Sequence, residues 1–255
     1  MLAAHQLRKN YGSLLAISGV DFTLGAGEIL GYIGPNGAGK STTVKIIAGL
    51  IEPTAGEVLF NGVPIHTDLV EYKRQIGYVP EEPNLYPYLT AREYLDMIGT
   101  LRGMPRRPRL DKIDALLNLF SLYPQRHLPV SSYSKGMRQK VLLISGIMHN
   151  PSLIIFDEPL SGLDVTAAFI FRKLVAGLAG RGKSIFYCSH VLEVVEKLCT
   201  HLLILRKGTV VAHGSTRSVL DSLHQPTLMD TFAQLVPDID TTGIAADIVD
   251  VLCTT

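Results

Sequence analysis

Residues 34–41 read Gly34-Pro35-Asn36-Gly37-Ala38-Gly39-Lys40-Ser41, with Thr42 next in the chain. Glycines at this spacing let backbone N–H groups turn inward around phosphate oxygens. Lys40 then offers a compact cation to β- and γ-phosphates, and the Ser41 hydroxyl offers a ligand to Mg²⁺. A helix opening at Lys40 adds the partial positive charge of its N-terminus. The run sits between an apolar, strand-like Glu28–Ile33 and a helical Lys40–Leu50, the order that phosphate binding needs. Nucleotide binding by residues 34–42 is therefore the primary expectation.

Other residues decide what is done with the nucleotide. Leu153-Ile154-Ile155-Phe156 is an apolar run that ends abruptly in Asp157-Glu158. Such a run suits a strand buried on both faces, and ligands of open α/β sheets gather at the carboxyl ends of strands. Asp157 would hold Mg²⁺, directly or through water, and Glu158 would act as general base on the attacking water. Taken alone, the pair is equally consistent with an ordinary strand leaving the core. Ser161-Gly162-Leu163-Asp164 precedes a helix, Ser189-His190 closes a β-rich run, and Tyr133-Ser134-Lys135-Gly136-Met137 opens another helix. In isolation Ser134 and Asp164 suit helix N-caps, and His190 suits a satisfied loop histidine. No Asn-Lys-x-Asp guanine-reading motif is present, which argues against a GTPase.

Taken together and in this order, these segments resemble the nucleotide-binding subunit of ABC transporters over residues 2–220. The resemblance implies an ATPase that uses ATP and Mg²⁺, on a P-loop NTPase core with an antiparallel β region and an inserted helical subdomain. It also implies a dimer with a second ATPase subunit, either a homodimer or a related heterodimer. ATP on one copy's phosphate loop would be covered by Ser134 and Gly136 of the other. His190 would touch the γ-phosphate and hold water and Glu158 in line, Ser161–Asp164 would run along the seam, and Tyr11 would stack on adenine. A separately encoded transmembrane permease would be the second partner, which places the chain at the cytoplasmic face of the membrane.

Two segments depart from the family pattern. The usual Leu-Ser-Gly-Gly-Gln is here Tyr133-Ser134-Lys135-Gly136-Met137, which keeps the serine and the second glycine. Glu81, in Tyr78-Val79-Pro80-Glu81, stands where the family usually carries glutamine, and its added charge changes the balance beside any metal. With Glu82-Pro83-Asn84-Leu85-Tyr86-Pro87-Tyr88-Leu89-Thr90, these variants resemble the branch of drug-resistance and sodium-efflux exporters. In that branch Tyr86, Tyr88 and Leu89 would face the membrane subunit.

The remaining chain must position these groups. Strand-like runs at Val20–Leu24, Glu28–Ile33, Glu57–Phe60, Ile76–Val79, Leu153–Phe156, Ser184–Cys188, Leu202–Leu205 and Thr209–Ala212 are interspersed with helical stretches. The helices fall at Lys40–Leu50, Ala91–Leu101, Leu110–Phe120, Lys135–His149, Val165–Ala179 and Val191–Leu198. This alternation predicts an α/β fold with a largely parallel central sheet. Residues 90–149 read as helix after helix, a subdomain inserted between strands. Asn61-Gly62 and Lys207-Gly208 carry turn chemistry.

Composition narrows the class further. The 255 residues carry 24 Lys plus Arg against 23 Asp plus Glu, a net charge of +1, which does not suit a protein that coats nucleic acid. Mean hydropathy is +0.24, yet the apolar runs Val141–Ile144 and Leu153–Phe156 fall far short of the ~20 residues of a membrane span. The opening residues include Arg8 and Lys9 and no apolar core of a secretory leader, so the cytoplasm is the expected compartment. Cys188, Cys199 and Cys253 have no metal-ligand spacing and read as ordinary thiols. Pro105-Arg106-Arg107-Pro108-Arg109 reads as a solvated loop between helices, too small a basic footprint for nucleic acid. After Arg217 come six aspartates and no Lys or Arg, so residues 221–255 read as an acidic tail with a short helix at Leu228–Leu235 and a loosely held end. A soluble ABC ATPase acting on DNA or ribosomes is the alternative reading.

Overall fold

The computed structural model describes residues 1–235, 248–249 and 251–252. In chain order it runs β1 (Leu2–Tyr11), β2 (Leu14–Leu24), β3 (Ile29–Ile33), α1 (Lys40–Ile47), β4 (Ala55–Phe60), β5 (Val63–Pro64), α2 (Leu69–Gln75) and β6 (Ile76–Val79). Then come α3 (Ala91–Leu101), α4 (Arg106–Leu119), α5 (Lys135–Ile147), β7 (Leu153–Asp157), α6 (Val165–Ala179), β8 (Ser184–Cys188), α7 (Leu192–Leu198), β9 (His201–Arg206), β10 (Thr209–Ser215), α8 (Thr216–Ser222) and α9 (Leu228–Leu235). Residues 236–247, 250 and 253–255, which include Cys253 and most of the end of the acidic tail, lie outside the described residues.

The strands form two sheets. One is antiparallel, in the order β2-β1-β4-β5; the other is β10-β9-β3-β8-β7-β6, parallel except for the β9–β10 hairpin. Every residue of β3, β7 and β8 is buried, because structure covers both faces of this sheet. On one face Tyr32, Ile155 and Phe186 meet α1 and the antiparallel sheet through Ile46, Leu7 and Leu24. On the other, Ile154, Phe156 and Tyr187 meet Leu142 of α5, Phe171 and Val175 of α6 and Val195 of α7. A third cluster, with Leu95, Ile113, Leu117 and Ile144, holds α3, α4 and α5 together.

Local chemistry explains the element ends. Asn61 (φ 52°) and Gly62 (φ 81°) turn β4 into β5, and Lys207 (φ 47°) with Gly208 (φ 80°) turns β9 into β10. Both pairs have the two positive φ angles of a type I′ hairpin. Helix α1 stops at Ile47, short of Leu50, because Gly49 (φ 66°) donates to the Ile46 carbonyl and Leu50 N–H donates to the Lys45 carbonyl. This paired capping pattern ends a helix at a left-handed glycine.

The basic cluster at residues 105–109 is not a solvated loop. Pro105 caps α4, which starts at Arg106 instead of Leu110, and Pro108 fits because N–H groups of a first helical turn have no intrahelical partner. Arg109 is buried: its Nε donates to Asp96 Oδ1 at 2.6 Å and its Nη1 to the Met104 carbonyl at 2.7 Å. Strand β1 carries no period-two signal, since Gln6 takes φ 47° and the pairing with β2 shifts register between Ala4 and Leu7. Helix α2, capped by Asp68 accepting from Glu71 N–H, buries only Tyr72 and is too short to show a period. Helix α9 packs onto the core, with Leu228 fully buried.

His149, just beyond α5, donates from Nε2 to the Ile76 carbonyl at 2.9 Å, which leaves Nδ1 buried without a partner. Burial, with Arg102, Lys112 and Lys183 nearby, pushes its imidazole down to about 4. A lowered histidine pKa means that the unfolded chain binds the extra proton. Stability is therefore complete above the unfolded value of ~6.5 and is lost as the pH falls toward 4, by about 2 kcal/mol after allowance for partial exposure. His149→Gln should flatten Tm against pH in that window, as thermal melts at pH 7, 6, 5 and 4.5 will show.

Candidate nucleotide site

Cross-strand register brings the candidate groups together. Tyr32 of β3 pairs with Cys188 of β8, and Cys188 pairs with Asp157 of β7. Beyond these residues the chain leaves the sheet at one edge: into the loop at Gly34, into Ser189-His190, and into Glu158.

The loop 34–41 closes tightly on itself. Ala38 N–H donates to the Pro35 carbonyl at 3.1 Å, and Gly208 N–H donates to the Ala38 carbonyl at 3.0 Å, which pins the loop to the β9–β10 turn. Gly39 has φ 105°, and a Cβ there would lie 2.5 Å from the Ala16 carbonyl oxygen. Lys40 Nζ donates to the carbonyls of Gly34 (2.7 Å) and Pro35 (3.0 Å), so its ammonium is held across the loop mouth. Asn36, Gly37 and Ser41 are exposed, while Thr42 is half-buried. Gly34, Pro35 and Asn36 share a cavity of about 180 Å³ with His190, Leu192 and Phe232.

The carboxylates have different surroundings. Asp157 is buried, and its carboxyl is pushed up to about 6, first by desolvation and then by the charges of Glu81 and Glu158; Cys188 and Lys40 act in the opposite sense. A divalent cation between Asp157 and the Ser41 hydroxyl would neutralise this excess of negative charge, so the donor set fits Mg²⁺. Glu158 takes φ 47°, a strained conformation for a side chain with a Cβ. It is held there by its own N–H donating to the Cys188 carbonyl (2.9 Å) and by Ser161 N–H donating to its carbonyl (3.1 Å). Its carboxylate meets His190 Nδ1 at 2.8 Å and accepts from Ser189 Oγ at 3.1 Å. Ser189 thus joins the site; its only signal in the sequence is its place before His190.

Ser134 and Gly136 lie apart from this cluster. Ser134 Oγ caps α5 by accepting from Met137 N–H at 3.2 Å, and a Cβ on Gly136 would stand 2.7 Å from the Gly162 carbonyl oxygen. The opening turn of α5 therefore packs against Gly162, while Ser134 stays exposed. Asp164 caps α6 by accepting from Ala167 N–H at 2.8 Å. Tyr11 ends β1 half-exposed, with Lys9 Nζ 5.5 Å from its ring centre. A larger apolar groove of about 660 Å³ lies between α4, α5 and α6, away from the phosphate loop.

A glycine-rich loop between β3 and α1 with a lysine held across its mouth, beside a buried aspartate and a glutamate hydrogen-bonded to histidine, has the layout of a P-loop nucleoside triphosphatase. Residues 17–161 match the sequence model of the ABC transporter family. The chain is 36% identical to the ABC transporter ATP-binding protein NatA of Bacillus subtilis, covering 81% of this chain and 85% of that one. It is 33% identical to the linearmycin resistance ATP-binding protein LnrL of B. subtilis, covering 90% of this chain and 74% of that one. Among solved structures, the ATP-binding subunit of an ABC transporter superposes with a TM-score of 0.87 at 32% identity, over 92% of this chain and 99% of the other. A dimeric ATP-binding cassette in a post-hydrolysis state with ADP and Pi superposes with a TM-score of 0.78 at 25% identity, over 85% and 99%. The chain belongs to the ABC transporter ATP-binding family and is an ATPase of transport. Subunits of this family bind ATP, dimerise and work with a membrane permease.

Gly39→Ala forces a methyl group against the Ala16 carbonyl at a φ that side chains avoid. It should cost at least ~2 kcal/mol of stability and abolish ATP binding, measured by urea unfolding and by calorimetric titration.

Proposed function

We propose that this chain is the ATP-hydrolysing subunit of an exporter, closing as a dimer around ATP to drive a separately encoded permease at the cytoplasmic face of the membrane. The observation that carries this reading is the strand edge where the phosphate loop, Asp157-Glu158 and His190 converge. Residues 2–220 form the ATPase unit in this reading, with residues 90–149 as its helical subdomain and residues 221–255 as a tail.

Gly34–Thr42 hold the phosphates through backbone N–H groups, and Lys40 moves from its loop carbonyls to the β- and γ-oxygens. Ser41 and Asp157 hold Mg²⁺, which supplies charge neutralisation when bound. Glu158 takes the proton of the attacking water. His190, hydrogen-bonded to Glu158, orients it and reaches the γ-phosphate. Tyr11 stacks on adenine, an interaction worth ~1–3 kcal/mol by analogy with bases on aromatic residues. Ser134 and Gly136, exposed or half-exposed at a helix N-terminus, cover the γ-phosphate bound to the partner.

The exporter reading is supported by relatives named for linearmycin resistance and, in Burkholderia lata, for Nod factor export. No helix among the described residues is long and apolar enough to cross a membrane, and in this reading the membrane-spanning part is a separate subunit. For that subunit the surface offers Tyr88 (91% exposed) and Tyr86, and a groove of about 320 Å³ where Val70, Ile98 and Leu101 lie among Lys73, Arg74 and Arg102. Partly apolar surfaces rimmed by charge are typical of protein interfaces.

Glu158→Gln should lower turnover by a factor of ~10²–10⁴, the usual worth of a general base, and accumulate an ATP-bound dimer on size exclusion. Turnover equal to wild type would remove Glu158 from its role. Lys40→Ala should abolish ATP binding in calorimetry. Purification from membranes should bring down a polytopic protein; ribosomes or DNA in its place would favour a non-transport ATPase.

A further inference from the structure

Gln139 is the third residue after Gly136 on α5, and its side chain is completely buried. Buried glutamines are rare, since each must satisfy two donors and a carbonyl acceptor away from water. This one is satisfied in part. Its Nε2 donates to the Pro159 carbonyl at 3.2 Å, while its Oε1 is buried without a partner. The alternative amide orientation would set Oε1 against the Pro159 oxygen, so the observed one is enforced.

Pro159 directly follows Glu158 and is itself buried. The turn 158–161 sets the strained backbone of Glu158, with anchors at the Cys188 carbonyl and at Ser161 N–H. Gln139 provides the anchor that comes from α5. Helix α5 is seated rigidly at its other end, where Gly146 packs so closely on β6 that a Cβ on Gly77 would lie 2.0 Å from the Gly146 carbonyl oxygen. Its N-terminal turn carries Ser134 and Gly136 and presses on Gly162. A shift of that turn therefore reaches the segment after β7 at two points, the Gly136–Gly162 contact and the buried hydrogen bond of Gln139 to Pro159, which directly follows Glu158.

We propose that Gln139 is a positioning residue, linking the phosphate-covering end of α5 to the turn that aims Glu158 within the same subunit. The proposal rests on the dimeric ATPase reading above. The unpartnered Oε1 is the observation that separates it from a packing role. A buried acceptor left unpaired destabilises the fold; an apolar side chain at 139 would remove that group but would also take the donor from the Pro159 carbonyl, so the two effects on stability oppose each other. A polar group kept at a cost in stability is the mark of a functional constraint.

Gln139→Met keeps the length of the side chain and removes both polar atoms. The expected result is a fall of about tenfold in kcat, in keeping with a small misplacement of a reacting group, with KM for ATP within twofold of wild type and Tm close to that of wild type. Gln139→Leu should behave alike and serves if the methionine variant is poorly folded. Glu158→Gln and Glu158→Gln/Gln139→Met should form the ATP-bound dimer to the same extent on size exclusion. An unchanged kcat would overturn the proposal, as would a kcat and Tm that fall together, including failure of both variants to fold. Loss of the dimer only in the double variant would also overturn it, by showing that Gln139 serves phosphate covering. Absence of the dimer in Glu158→Gln alone would instead refute the dimeric reading.

Discussion

The chemistry of this molecule depends on the parallel ladder that joins β3, β8 and β7. Strands in a sheet lie ~4.8 Å apart, so Tyr32, Cys188 and Asp157, which are cross-strand neighbours, leave the sheet within about 10 Å of one another. A slip of one residue would send Asp157 to the opposite face. Alternation of apolar and polar residues cannot hold the register here, because both faces of these strands are buried. Glycines contribute that specificity. A Cβ on Gly31 would lie 2.7 Å from Val195 of α7, and one on Gly77 would meet the backbone of α5 at Gly146. Each helix fits closely at one point of its strand, and a shifted strand would put a side chain there.

On this frame two adjacent carboxylates acquire different properties. Asp157, the cross-strand neighbour of Cys188, is buried and has its charge disfavoured by desolvation and by Glu81 and Glu158. Such a group suits a cation, which would offset the neighbouring negative charge. Glu158, one residue on, is turned by its positive φ toward His190 and Ser189, where its carboxyl group is hydrogen-bonded. Local backbone strain thus gives two adjacent carboxylates different neighbours, as the proposed metal-holding and water-activating roles require.

Much of this was legible in the sequence, because it is local. The loop 34–41, the hairpin pairs Asn61-Gly62 and Lys207-Gly208, and the caps Ser134 and Asp164 all act within a few residues of themselves. What escaped depends on distant partners. Strand β1 is ordered by pairing with β2 and β4 across an irregular register, which erases its alternation. Arg109 looked solvated among arginines because its partner, Asp96, lies on another helix. Gln139 is held in the core by a bond to Pro159, twenty residues on, which no local pattern signals.

Helix α5 shows why such long-range contacts matter to function. It contributes Ile144 to the helical cluster and Leu142 to the sheet core, so it belongs to both halves of the subunit. A helix shared in this way cannot follow one half without straining the other. Close backbone packing at Gly146 fixes it to the sheet, whereas the contacts of Gly136 and Gln139 fix it to the turn after β7. Packed interfaces of this kind have few arrangements of similar energy, so a displacement at Ser134 is passed on instead of being absorbed. The strain stored at Glu158 supplies a receiver, because a residue already in a sparsely populated conformation is re-aimed by small changes in the turn that holds it.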